Sequence, residues 1–308
     1  MAKVHLLTVG QGDCTIIEHV SGHITVMDIC GGNRTVSKEE ARLLEVYEKP
    51  RGNFAMCKKP TNPIEYLESL GKNSIFRFIL SHPDMDHLDG FDALASRFQI
   101  YNFWDSGARK EKPDFEDCPY NEADWDRYVK FRDGKEEGVT VVTPLAGSRF
   151  QYANKNDQDA DDGGDGLNIV APNKELIDEA NECQDFNDAS YVISYRSVGG
   201  KIILPGDAHD KSWELAIDEY KYNIENSSFL LAPHHGRKSG RDHGYLNVVN
   251  PKCSLLGCAP SEHLAYGAWS SRDLYYFTQN QAGNVVLEIS TGAIEVYVEN
   301  EKFPPASE

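Results

Sequence analysis

Four metal-type donors stand within six residues: His82, Asp84, Asp86 and His87, in the segment SHPDMDHLDG. Imidazole nitrogens and carboxylate oxygens are the donors that Zn2+, Mn2+ and Fe2+ take. The segment follows SIFRFIL (74–80), a mostly apolar run that reads as a buried strand. Donors at the C-terminal end of a strand can converge on one point without unfolding anything. A polar turn that holds these residues by chance is the competing reading. With only 10 His in 308 residues it is the weaker one.

The elements that must position this cluster follow from patterning. Strands are expected over 4–9, 12–19 and 23–29, the first two joined by Gly10-Gln11-Gly12 and the third ending at Asp28 before Gly31-Gly32. Further strands are expected at 99–104, 139–143, 167–172, 190–197, 201–205, 228–233, 252–257, 284–289 and 293–298. Helices are expected at 37–48 (Ser37 as cap), 64–70, 91–97, 124–132, 173–182, 211–220 and near 270–279. A charged insertion occupies 108–138. No clear linker interrupts the pattern, so a single αβ domain over 1–308 is expected.

The stretch 154–166 is rich in Asp but fails the calcium-loop pattern. Asp162 stands where the turn Gly belongs and Asn168 where the bidentate Glu belongs, so a solvated acidic loop is expected. Tyr101, Phe103 and Trp104 read as core, whereas Trp125 and Tyr128 in the insertion are candidates for a substrate groove.

Net charge is −18. Such a surface repels nucleic acid and anionic membranes at long range, although a bound dication reverses the sign locally. Arg237 and Lys238, with Arg241 near, form a small basic lip that fits phosphate capture; a solvated loop is the competing reading. No apolar run is long enough for a membrane span, and the start does not read as a secretory leader. The seven Cys are scattered with no CxxC, as expected of free thiols in a reducing cytoplasm.

SHPDMDHLDG resembles the HxHxDH signature of the metallo-β-lactamase superfamily, with Asp84 in place of the middle His. Asp28 resembles that family's first strand-ending Asp, LPGDAHD its Gly-Asp motif, and APHHGRKSG its late His motif. VGQGDCTII, NDASYVISY and these segments together are similar, in order, to the soluble hydrolase domain of the ComEC competence family. The resemblance implies an α/β fold, a four-layer αββα sandwich, with the motifs at one edge. It implies two divalent ions (Zn or Mn). His82 and Asp84 would bind one; Asp86, His87 and His234, or His235 as the alternative, would bind the other; Asp207 would bridge them. Asp28 would support the ligands. The family's third-motif His is missing, and Asn187-Asp188 stands in its place as weaker oxygen donors or as support. Asp86 and Asp207 would act on the attacking water, and His263 would protonate the leaving group. His209 is a further residue within reach of that pocket.

Two ions ~3.5–4 Å apart clamp the attacking and leaving oxygens of a phosphodiester. The resemblance thus implies a cytoplasmic phosphodiesterase or nuclease, acting on single-stranded DNA in bacterial DNA uptake or defence. The strong negative charge then calls for a partner protein that delivers the substrate. A hydrolase of a small nucleotide, cyclic nucleotide or lactone is the rival enzyme reading. A metal-stabilised, non-catalytic module of a multi-protein system is the rival of another class.

Overall fold

The structure, a computed structural model, describes residues 1–34, 54–155 and 163–303. The helix expected over 37–48 and the centre of the acidic stretch, 156–162, lie outside the described residues.

The first half runs β1 (Ala2–Leu6), β2 (Thr15–Glu18), β3 (Ile24–Met27), α1 (Pro63–Ser69), β4 (Ser74–Ile79), α2 (Phe91–Arg97), β5 (Gln99–Trp104), α3 (Glu122–Arg132) and β6 (Thr140–Val142). The second half runs β7 (Leu167–Ala171), α4 (Lys174–Cys183), β8 (Val192–Ser197), β9 (Gly200–Leu204), α5 (Asp210–Ile224), β10 (Phe229–Leu231), α6 (Leu246–Val249), β11 (Ser254–Leu256), α7 (Tyr266–Ser270), β12 (Tyr276–Thr278) and α8 (Gln279–Ala282). Then β13 (Val285–Ser290) and β14 (Ala293–Val298) return to the first half, Ala2 pairing with Ile289.

An eight-stranded sheet has the order β14-β13-β1-β2-β3-β4-β5-β6, and a six-stranded sheet the order β12-β11-β10-β9-β8-β7. Alternation along the strands builds the layers. Ile17, Met27, Ile193 and Leu204 face the core between the sheets. Their chain neighbours Ile16 and Val26 face α1, α2 and α3, and Val192 and Ile203 face α5, α6 and α7. Each fully buried Ile or Leu contributes about 1.5–3 kcal/mol. The result is the four-layer α/β/β/α sandwich, with β3, β4, β5 and β6 parallel in one sheet and β9, β10, β11 and β12 parallel in the other. Loops leaving the C-terminal ends of β3, β4, β9 and β10 meet at one edge.

Several expectations are corrected. Residues 270–279 are not one helix. Tyr276, Phe277 and Thr278 pair parallel with β11, and Thr278 opens α8 with a capping box to Gln281. β-Branching and aromatic content prevail over helical spacing there. Trp125 and Tyr128 line no groove; they are buried with Phe103 beneath the first sheet. Asp165 is not a solvated loop residue. Its carboxylate is buried, accepting from Arg77 Nη1 at 3.2 Å and Ser21 Oγ at 2.7 Å, with His23 Nδ1 at 2.9 Å.

Beside that ion pair, His19 Nε2 meets Thr25 Oγ1 at 2.9 Å while its Nδ1 is buried with no hydrogen-bond partner. Burial pushes the imidazole down to about 4; Asp165 opposes the fall and Arg77 adds to it. The unfolded chain therefore takes a proton near pH 6.5 that the folded chain refuses until about 4. Stability from this group is complete above about pH 6.5 and is lost as pH falls toward about 4. Between about pH 7 and about pH 5, His19→Gln should lose roughly 2 kcal/mol less than the unaltered chain in denaturant titrations. Equal losses in both chains would contradict this.

Candidate metal centre

Three imidazoles are aimed at one buried carboxylate. Asp28 follows β3 with φ of 59°; its Oδ1 accepts from Ser81 N at 2.7 Å and its Oδ2 accepts from His87 Nδ1 at 2.9 Å. Ser81 Oγ lies 3.0 Å from His82 Nδ1. Asp13 Oδ2 faces His235 Nδ1 at 3.3 Å, an ion-pair contact rather than a well-aligned hydrogen bond. With the Nδ1 atoms of His82 and His87 hydrogen-bonded and that of His235 facing Asp13, the three Nε2 atoms turn toward Asp207: His87 at 3.4 Å, His235 at 3.6 Å and His82 at 4.0 Å. Asp86 completes the group, its Oδ2 3.5 Å from His235 Nε2 and its Oδ1 3.9 Å from His87 Nε2.

All three Nε2 atoms and Asp207 Oδ1 are buried without a hydrogen-bond partner. Orphaned polar atoms are costly inside a protein, so such a group calls for a shared occupant. Bonds of ~2.0–2.1 Å at tetrahedral angles put donor atoms about 3.4 Å apart. The separations of 3.4–3.9 Å from the Asp86 and Asp207 carboxylates to the His87 and His235 rings suit a divalent cation, and the donor atoms of Asp86, His87 and His235 lie within 4.8 Å of one another, as do those of His82, His87 and Asp207. The electrostatics agree. Burial pushes the His87 imidazole down, but Asp207, Asp28 and Asp86 outweigh it and hold it well above the usual range. Burial also lowers His235, and Asp207 and Asp13 more than reverse it. Burial raises Asp207, while His235, His87 and His82 hold it well below the usual carboxylate range. The pocket thus favours positive charge at its centre.

Neighbouring loops hold this geometry. Gly12, with φ of 79°, lies so close that a Cβ there would stand 1.9 Å from the Asp86 carbonyl oxygen. Gly32 and Gly90 cross backbone to backbone, a Cβ on Gly90 reaching 2.4 Å from Gly32 Cα. Asp89 accepts from Gly31 N at 2.9 Å. Asp124 of α3, itself buried, accepts from Gly90 N, Asp92 N and Asn33 Nδ2 at 2.8–3.0 Å. The charged insertion therefore braces the His87 loop from outside. Sequence reasoning missed that role, since a charge in an insertion carries no mark of what it faces. The sequence places Asp13 among the acids of the site or its support, and the structure gives it a partner, His235.

The late double His resolves differently from the order first expected. His235 is the buried residue inside the cluster. His234 is half-buried; its Nε2 lies 3.7 Å from Asp207 Oδ2 and its Nδ1 lies 3.0 Å from His209 Nε2. Both residues have left-handed backbone, φ of 51° and 56°, so the turn carries the second imidazole inward. Burial, with Arg241, His235 and His209, brings His234 down to about 4 against the pull of Asp207.

Other expected residues are placed as follows. Asp84 Oδ2 is 3.7 Å from His82 Nε2, and its Oδ1 accepts from Lys110 Nζ at 2.6 Å. Burial raises the Asp84 carboxyl, and His82 with Lys110 brings it below its usual range. Asn187 bonds Asp185, and Asp188 caps α5 by accepting from Ser212 N at 3.0 Å; neither joins the cluster. Asp188 supplies the cap that His209 at the N-cap position does not. The basic lip is partly engaged: Arg241 donates to the carbonyls of Ala208 and Arg237, and Lys238 to that of Glu262. Arg237 pairs through its backbone with Leu264. His263 is exposed in the turn Ser261–His263, its carbonyl accepting from Lys238 N at 2.8 Å.

Comparison of the sequence with known protein families finds no match, and comparison with characterised proteins finds none. Solved structures do resemble the fold. A metallo hydrolase from the hyperthermophilic archaeon Ignicoccus hospitalis superposes with a TM-score of 0.49 at 12% identity, over 94% of this chain and 100% of that one. A diphosphatase of the PhnP family gives 0.46 at 10%, over 96% and 100%. A metal-dependent hydrolase of the β-lactamase superfamily gives 0.47 at 15%, over 94% and 100%.

Proposed function

We propose that the chain is a metal-dependent hydrolase of phosphodiesters. One observation carries this: three buried imidazole Nε2 atoms with no partner of their own converge on Asp207. Asp86, His87, His235 and Asp207 would hold a divalent cation. Bound there, Zn2+ or Mn2+ supplies Lewis-acid polarisation of a phosphoryl oxygen and activation of water.

The chain's own residues do the rest. Asp28 fixes the His87 tautomer and ring plane, and Asp13 biases His235 the same way, so that both rings offer Nε2 inward. Asp86 and Asp207 stand where a water proton can be accepted, both held ionised by the surrounding imidazoles. Ile29, Cys30, Leu88 and Leu256 are buried beside the loops that carry the cluster.

By the ComEC resemblance the substrate is single-stranded DNA, met in the cytoplasm and delivered by a partner protein. The net charge of −18 and the engaged side chains of Arg241 and Lys238 favour a second reading, a nucleotide-sized phosphodiester. The test is hydrolysis of labelled single-stranded DNA and of bis-p-nitrophenyl phosphate with Mn2+ or Zn2+. A steep loss of binding with salt marks the polymer, and a flat response marks the small substrate. No hydrolysis of either with either metal overturns the proposal.

Asp28→Asn should keep the left-handed backbone, which Asn tolerates. It should nonetheless lower metal affinity about 10–100-fold, because the carboxylate that holds His87 Nδ1 is lost. Isothermal titration with Zn2+ measures this, and unchanged affinity would refute it. Among the described residues no helix is long and apolar enough to cross a membrane.

A further inference from the structure

The two halves of the metal centre are not equivalent. Asp86, His87 and His235 offer three donor atoms within 4.8 Å of one another, and Asp207 faces both rings. On the other side, His82 shares His87 and Asp207 with that group, and the donor it adds is Asp84, whose Oδ2 lies 3.7 Å from His82 Nε2. The segment that by the family resemblance would bring a third imidazole carries Asn187 and Asp188, and both are engaged elsewhere.

A cation already stands on that side. Lys110 Nζ donates to Asp84 Oδ1 at 2.6 Å and lies 5.8 Å from the centre of the Phe186 ring. Phe186 directly precedes the segment that lacks the imidazole. Lys110 is not a loose surface side chain. Arg109 N donates to Asn181 Oδ1 at 2.6 Å, and Glu111 N to Gln184 Oε1 at 2.9 Å. Asn181 Nδ2 returns a bond to the Gly107 carbonyl at 3.4 Å. The loop is thus clipped to the end of α4 on both sides of Lys110. Its side chain is only 26% exposed.

We infer that Lys110 takes the place of a first metal ion, so that this chain holds a single catalytic cation, in the Asp86–His87–His235–Asp207 set. The inference rests on the metal-centre reading above and departs from the two ions that the family resemblance implies. The ammonium neutralises Asp84, and a second dication beside it would meet like charge at close range. Lys110 thereby becomes a fixed positive group at the mouth of the site, suited to a phosphate oxygen of the substrate. The donor chemistry agrees, since one His and two Asp without a third imidazole make a poor partner for Zn2+ when an ammonium competes.

Metal content of the full chain, equilibrated with Mn2+ alone and read by elemental analysis and electron paramagnetic resonance, tests this. The unaltered chain should hold a single ion per chain with the resolved signal of isolated Mn2+. Lys110→Met should take up a second ion and show the broadened signal of a coupled pair. Lys110→Arg should stay with a single ion. Asp84→Asn should also keep its single ion, and it stands in if Lys110→Met does not fold. Two ions in the unaltered chain, a single ion in a folded Lys110→Met chain, or loss of metal in Asp84→Asn would each overturn the inference. No ion in any of them would instead overturn the metal-centre reading itself.

Discussion

An Asp207→Asn chain should lose its metal on dialysis and hydrolyse phosphodiesters at least about a thousandfold more slowly, since the Lewis-acid contribution it forfeits is several kcal/mol. Asp207 is buried, and its two oxygens face His87, His235, His234 and His82 at 3.4–4.0 Å. No other carboxylate among the described residues meets all four rings. The amide is isosteric but neutral, and its NH2 would point a donor at nitrogens that must themselves donate lone pairs. Elemental analysis after dialysis and a turnover assay check the two parts separately. Full metal content together with full turnover would place the chemistry elsewhere.

Gly12→Ala should destabilise the chain by about 3–5 kcal/mol and weaken metal binding with it. Two costs add. The φ of 79° is one an L side chain adopts only with strain, and the new methyl would stand 1.9 Å from the Asp86 carbonyl oxygen and 2.9 Å from Cys30 Cβ. None of these atoms is the far end of a flexible side chain, so the backbone of the Asp86–His87 loop must shift. A fall in melting temperature on the order of 10 °C is expected. Gln11→Ala, one residue away and exposed, should change stability by no more than about 0.5 kcal/mol. Similar melting of both variants would show that the turn does not press on the metal loop.

Much of the architecture was legible because it rests on local rules. Alternating apolar residues marked the strands, and short apolar runs ending in His or Asp marked where loops gather. His82, Asp84, Asp86 and His87 could be read together because six consecutive residues at a strand end cannot separate far. What failed was local ambiguity. The 270–279 stretch had helical spacing but β-prone residues, and its pairing with β11 decided the matter.

The site divides the same way. Residue type and spacing gathered His82, Asp84, Asp86 and His87 at a strand end, and the family resemblance implied that imidazoles and carboxylates would collect at one edge of a two-sheet fold, with Asp28 and Asp207 at strand ends. Tertiary structure alone decided which late His turns inward, because that depends on two left-handed residues in a row. It alone revealed Asp13 behind His235, Asp124 bracing the His87 loop and Lys110 on Asp84. Each of these acts across a long stretch of chain. Charge and spacing give a residue its chemistry, but only the packing of distant segments gives it a partner.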